Sequence, residues 1–395
     1  MNRFKQHDII ALILIRKDSS STFNKEKKFL QDAKRKGVNV WIRTNRVTPK
    51  GGFPGYPNGT IDFSLNKQLQ NDVLCYLDKV CSLSKEFPNL RGIVIGGEEL
   101  VGAHINIEEI RRWDSFFFTE KGFHLTEKMS VSQQKIYYDW MQEINNQWYA
   151  AIYNHLHSKY PKLEFFVFPS SAAIDDNNKY ASFPRPAHWD LYDLIVRKNI
   201  PYSIIYESYN IHRKDGILYT AAQSAYLRDI TNGKVPIYTI HQAQRAKGEK
   251  EAPAQDQIIA HVFTSIVNGS KGIGFWSTDM DTKQDIYITN KARWESLFQI
   301  IDKAKKWNNL TKITPNIYII KPRYSFFLNN NPANKSAFDT FISLYKKGFS
   351  PGFLLEENNI HVQSKKIINP SLIYDKRSVV PPSSFEQHFN FLEQK

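Results

Sequence analysis

Two apolar runs of this sequence end in glutamates, and those ends are where chemistry is to be expected. LRGIVIGGEEL (90–100) closes on Gly96, Gly97, Glu98 and Glu99, and YSIIYESYN (202–210) carries Glu207 between Tyr206 and Tyr209. A carboxyl group at the mouth of an apolar strand is easily desolvated, which raises its pKa and suits it to donate a proton. Glycines beside it let the backbone bend close to a ligand. Two carboxylates facing each other across a pocket are the minimum for hydrolysis of a glycosidic bond. The ordinary alternatives are a solvated strand end leading into a helix, where acids favour the dipole, and for Glu207 a buried pair with Arg43.

Other side chains fall at matching levels. His241 ends VPIYTIHQ (235–242) and is a candidate to orient substrate or act as a base, although a satisfied structural His is the commoner role. Trp276 in GIGFWSTD (272–279) offers a flat apolar face to a sugar ring, and Asp279 follows it. Arg43 and Asn45, which follow the run VNVWI, complete the candidate substrate-binding set with Tyr206 and Tyr209.

The elements that would position these residues alternate. Apolar runs at 8–16, 38–45, 90–100, 164–171, 202–209, 235–242 and 272–279 are separated by helical patterns, such as Leu69, Val73, Leu77 and Val80, or Trp140, Ile144, Trp148, Ile152 and Leu156. That is the pattern of a parallel sheet built from βαβ units, and strands apolar on both faces mean a sheet covered on both sides. The expected fold is α/β, a TIM (β/α)8 barrel over residues 1–312. Seven strands are one too few, so the first is expected before Met1 or in irregular form. Residues 313–395 again read β-α-β, a small flavodoxin-like or incomplete α/β domain, and the chain reads as one cut at both ends.

Composition narrows the classes. The chain has 395 residues, 41% hydrophobic and 14% aromatic, enough apolar surface for a large core. Lys plus Arg exceeds Asp plus Glu by 53 − 39, or +14. The basic runs at 25–28, 34–36, 245–250 and 303–306 are scattered among acids, which makes solvated helix exteriors the expected reading and a nucleic-acid partner an unfavoured one. A carboxylated or sulfated glycan fits the same charge, and a homo-oligomer is compatible with the sequence. No apolar run reaches the roughly 18 residues of a membrane span; IIALILI (9–15) stops at Arg16 and lacks a small-residue cleavage site after it. The two cysteines, Cys75 and Cys81, point different ways on one helix, so neither a disulfide nor a Cys-based metal site is expected. Phosphate-loop, dinucleotide, H-E-x-x-H and G-x-S-x-G patterns are missing. No cofactor is expected.

With an acid at the end of a mid-barrel strand, NGSKGIGFWS as the closing strand and an α/β piece after it, the sequence resembles the clan A glycoside hydrolases, nearest the family 42 β-galactosidases. The resemblance covers residues 8–310 by pattern. It implies a sugar-cleaving barrel whose fourth strand ends in Glu99. In that family the acid/base is the second residue of an Asn-Glu pair; Glu99 matches it, with Glu98 in the Asn place, and Trp276 matches the Trp of the last strand. One departure stands out. The clan A nucleophile ends the seventh strand, here VPIYTIHQ, where Thr239, Ile240 and His241 occupy the place. Either Glu207 supplies the second carboxylate, or the mechanism differs. Adjacent acids also resemble the substrate-assisted hexosaminidases, in which one acid protonates the leaving oxygen and its neighbour orients the acetamido group. A non-catalytic, carbohydrate-binding barrel is the third alternative.

Overall fold

The computed structural model describes residues 2–15, 23–44, 67–99, 114, 117–124, 126, 130–169, 174, 189–211, 214–245, 251–279, 282, 284–310, 312–321, 332–355 and 366–368. Seven parallel strands, β1 (Ala11–Leu14), β2 (Val40–Arg43), β3 (Leu90–Glu99), β4 (Glu164–Pro169), β5 (Ser203–Ser208), β6 (Ile237–Gln242) and β7 (Gly272–Trp276), pair in sequence order. Each neighbour follows the last because a helix carries the chain back over the outside: α2 (Asn24–Arg35), α3 (Lys67–Glu86), α4 (Val131–Lys159), α5 (Gly216–Ile230) and α6 (Gln255–Val267). A short helix α1 (Asn2–Gln6) precedes β1, and α7 (Ile286–Thr289) and α8 (Lys291–Asn308) follow β7. Among the described residues no strand joins β1 to β7; the seven form a curled parallel sheet with helices outside it, an architecture of the (β/α)8-barrel type. The described stretch Trp189–Tyr202 leads into β5 and is wound as π-helix over Asp193–Arg197.

The helices form where their apolar spacing demands it. In α3 the buried residues are Leu69, Val73, Leu77, Val80, Cys81 and Leu83, a stripe at spacings of three and four. In α4 Ser130 caps the first turn by accepting from the Gln133 N–H, and the Gln133 side chain returns the bond to the Ser130 N–H at 2.9 Å. Among the described residues no helix is long and apolar enough to cross a membrane. Cys75 and Cys81 are both free thiols.

Inside the sheet, large rings stand over glycines. Trp41, Val94, Phe166, Phe168, Ile205 and Ile240 form an inner cluster with Tyr238 and Trp276 against it. Trp41 meets Phe166 at 4.3 Å between ring centroids and Tyr238 edge-on at 5.1 Å. A methyl on Gly92 would lie 2.7 Å from the Phe166 ring and 2.8 Å from Trp41, and one on Gly272 would lie 2.9 Å from Tyr238. At the N-terminal end of β4, the half-buried Glu164 accepts from the Ser203 hydroxyl at 2.9 Å. Burial raises the Glu164 pKa, and burial followed by the Glu164 charge pushes the Tyr238 phenol up to about 12.

A second parallel sheet, β10 (Lys366–Ile368), β8 (Ile317–Lys321) and β9 (Pro351–Leu355) in that spatial order, is joined by α9 (Pro332–Lys346). Its described apolar residues Ile317, Ile319, Phe338, Phe341 and Phe353 belong to the same buried cluster as the helix-facing residues of β1 to β6. Replacing Gly92 by Ala is expected to cost about 1–3 kcal/mol through overpacking of the ring layer, measured as a lower midpoint of chemical denaturation.

Candidate active site

Parity along each strand decides what reaches the lumen. In β5, Ile204 and Tyr206 belong to the outer cluster and Ile205 to the inner one, so Glu207 faces the lumen. It is only 5% exposed and sits at the C-terminal mouth, where barrel sites are built. In register with it across the ladder is Ile240, another inner residue. In β3, Val94 points in while Ile93 and Ile95 point out. The strand then bulges: Gly96 takes a left-handed φ of 71°, its N–H bonds the Thr44 hydroxyl at 2.9 Å, and pairing resumes at Glu99 opposite Pro169. The double glycine thus steers the backbone of Glu98 and Glu99 over the same mouth; the side chains of these two residues lie outside the described part, as does Asn45.

Arg43, next to Trp41 on the inner parity of β2, is half-buried with its guanidinium 4.5 Å above the Phe168 ring. Its Nε is buried without a hydrogen-bond partner among the described residues. Trp276 is half-buried against the inner cluster and donates from Nε1 to the Thr278 carbonyl at 2.6 Å, which fixes the plane of the indole. Tyr209 lies half-buried just beyond β5. Asp279 accepts from Arg245 at 3.2 Å and from the Thr282 N–H at 2.8 Å, bonds that tie the loop after β7.

Two expectations are corrected by this parity. Tyr206 is turned to the helices, where its hydroxyl meets Ser224 at 2.6 Å. His241, 0% exposed, is likewise turned outward, its Nε2 3.0 Å from the Ser265 hydroxyl. Neither reaches the lumen. The residue that does is Gln242, buried at the strand end, two positions after the inner Ile240 and in register with Trp276. VPIYTIHQ is apolar on both faces and so gives no sign of its phase, and a histidine draws chemical interest ahead of an amide.

Behind the mouth lies a buried polar layer. Ser208 bonds Thr220 at 2.8 Å, Thr220 bonds His261 Nδ1 at 2.8 Å, and Asn210 donates to Gln223 at 2.8 Å. Ser265 already donates to the Val262 carbonyl, so it accepts from His241 Nε2–H, which leaves Nδ1 as the bare nitrogen. A proton added at Nδ1 would meet no acceptor among the described residues. Burial, with His261 adding repulsion, accordingly lowers the His241 pKa from 6.5 to about 3. Among the described residues no cluster of three or more His, Cys, Asp or Glu is placed to hold a metal.

The described site is the C-terminal mouth of a curled parallel sheet, with Glu207 and Trp276 on its inner side. Among solved structures, this chain is similar to the β-galactosidase of Rahnella sp. R3 (TM-score 0.63, 11% identity, 89% of this chain and 61% of that one) and the β-galactosidase of Halorubrum lacusprofundi (0.67, 8%, 93% and 65%). It is similar as well to a GH5_18 protein from Streptomyces cattleya solved with GlcNAc (0.57, 12%, 94% and 91%). The chain thus has the barrel fold of these proteins and spans 61% of the length of the Rahnella enzyme. No protein-family model matches the sequence, and no curated protein does.

With a folded pKa near 3 against 6.5 unfolded, His241 makes the unfolded chain bind the extra proton between those values. Its contribution is present above pH 6.5 and is lost as pH falls toward 3, at up to about 1.4 kcal/mol per pH unit. Replacing His241 by Gln is expected to flatten the fall of denaturation midpoint between pH 7 and pH 5.

Proposed function

We propose that this protein is a glycoside hydrolase, with Glu99 as general acid/base and Glu207 as the second carboxylate. The observation that carries the reading is the placement of Glu207: a buried carboxylate on the lumen side of β5, at the strand end, in a barrel whose third strand ends in Glu98 and Glu99. In the reaction Glu99 protonates the glycosidic oxygen as the bond to the anomeric carbon breaks. Glu207 either attacks that carbon, giving a glycosyl-enzyme that water later opens, or takes the proton of an attacking water. Carboxyl separations of about 5–5.5 Å go with the first course and about 6.5–9.5 Å with the second. Trp276 supplies the apolar face on which a sugar ring rests. Its Nε1 is bonded to Thr278, so the ring, not the N–H, is the contact it offers. Arg43 adds a cation at the mouth, which suits an anionic glycan.

Gln242 favours a second reading. An amide stands at the lumen-facing end of β6, the strand on which the resembling family carries its nucleophile. An amide cannot attack, but it can hold the acetamido group of a 2-acetamido sugar while that group's own oxygen attacks, with Glu98 orienting it. The GlcNAc in the Streptomyces cattleya structure is compatible with such a substrate. The two readings part on substrate: the first cleaves 2-hydroxy glycosides, the second only 2-acetamido ones.

Turnover of a panel of nitrophenyl glycosides and oligosaccharides checks both. Glu99→Gln and Glu207→Gln are each expected to lower kcat by about 10²–10⁴. Trp276→Ala is expected to raise KM with kcat little changed, as lost uniform binding does. Unchanged turnover in Glu99→Gln on every cleaved glycan sinks the assignment, and binding with no cleavage identifies a carbohydrate-binding barrel instead.

A further inference from the structure

The strand end that carries Glu207 is held by its ladder on one side only. β5 pairs with β4 at Ser203 and Ile204, and among the described residues that ladder then stops. Glu207 and Ser208 pair with β6 alone, at Ile240 and His241. The second restraint comes from side chains. Ser208 and Asn210 are both turned to α5, where Gln223 Oε1 accepts from the Ser208 hydroxyl at 3.1 Å and from Asn210 Nδ2 at 2.8 Å. Asn210 gives its other amide hydrogen to Ser208 Oγ at 3.1 Å, which closes a ring of three buried side chains. The backbone is seated as closely: a methyl on Gly216, the first residue of α5, would lie 1.8 Å from the Asn210 carbonyl oxygen.

Proton placement gives the ring a direction. With its hydroxyl hydrogen on Gln223, Ser208 accepts from Thr220 at 2.8 Å, and Thr220 in turn accepts from His261 Nδ1–H at 2.8 Å. Every contact from His261 to Gln223 then carries a hydrogen. Reversing the chain would leave the Ser208 and Gln223 oxygens facing each other with none between them. The relay therefore ends on Gln223 Oε1, whose two lone pairs are both filled. Burying an amide between a strand and a helix is unfavourable unless it is matched in this way, whereas a leucine of similar size needs no partner. What the amide adds is direction, because it fixes the residue next to Glu207 and the one beyond Tyr209 to the same atom.

We propose that Gln223 is a positioning residue for Glu207: by tying Ser208 and Asn210 to α5 it sets the direction in which the Glu207 carboxylate enters the lumen. That role rests on the reading of Glu207 as the second carboxylate. Gln223 itself touches no substrate, since it lies on the helix side of β5 and is 1% exposed. Its influence runs through the main chain of a strand end that lacks a ladder toward β4. A carboxylate that must meet an anomeric carbon or its attacking water depends on such restraint, because a misplacement of about 1 Å costs on the order of 10²-fold in rate.

The test is steady-state turnover by the whole chain of the nitrophenyl glycoside it cleaves fastest. Gln223→Met keeps the length of the side chain and removes its acceptor; it is expected to lower kcat about 10–100-fold with KM within about twofold. In the Glu207→Gln background the same substitution is expected to change kcat by less than about twofold, because a residue that acts only through Glu207 has nothing left to position. A merely structural residue would lower kcat by the same factor in both backgrounds. Ser208→Ala is the second variant and serves if Gln223→Met does not fold. It frees Thr220 to donate to the Gly216 carbonyl, 3.2 Å away, and is expected to lower kcat at least about threefold with KM unchanged. The proposal is overturned by full kcat in either folded variant, by a loss confined to KM, or by equal losses in the two backgrounds. Each of these outcomes is read beside a slowed Glu207→Gln. Unchanged turnover in Glu207→Gln, or a chain that cleaves no glycoside, removes the reading of Glu207 itself and the role of Gln223 with it.

Discussion

In a strand walled by helices on one side and by other side chains on the other, neighbouring residues face opposite ways, and a site at the strand end inherits that phase. Everything at the mouth follows from it. Glu207 and Gln242 stand in the lumen because Ile205 and Ile240, two positions earlier, are inner residues. Tyr206, Ser208 and His241 stand among the helices for the same reason. A slip of one residue in β5 or β6 would exchange a carboxylate for a hydroxyl or an amide for an imidazole.

The phase is held from both sides. Within the lumen, rings of Trp41, Phe166 and Tyr238 close over Gly92 and Gly272, where no side chain larger than hydrogen fits without movement. Outside, side-chain hydrogen bonds fix the outward residues one by one: Tyr206 to Ser224, Ser208 to Thr220, Thr239 to Ser270 and His241 to Ser265. A buried polar layer of this kind is costly when a member is left unsatisfied. It therefore discriminates strongly against a shifted register, which apolar packing alone would penalise less.

Much of this was legible in the sequence, and the unread part has a physical reason. Apolar runs between helical patterns located all seven strands of the described sheet. The end of β3 was marked by its paired glycines and acids. Phase was another matter. Strands buried on both faces carry no hydrophobic–polar alternation, so YSIIYES and VPIYTIHQ do not declare which residues point inward. Glu207 was singled out for its type, as His241 was, and only packing separates them. Gln242 carried no chemical flag of its own. The aromatic plug over Gly92 was also hidden, because its members lie on three separate strands.

Helix α5 has a further consequence. On one face its Thr220, Gln223 and Ser224 bond the ends of β5; on another, Asp229 accepts the Phe353 N–H of β9 at 2.8 Å, Tyr219 donates to Asp339 of α9 at 2.8 Å, and Asp215 at its N-cap pairs with Lys346. Arg228 reaches from the same helix to the Asn268 and Ile313 carbonyls. Eleven of its fifteen residues are buried, so it is an interior beam shared by two sheets and not a surface helix of either. Melting of the smaller sheet would strip one side of that beam bare, and the loss would be felt directly behind Glu207. The backing of the carboxylate is thus shared: the helix behind Glu207 is also the helix on which the described part of the smaller sheet rests.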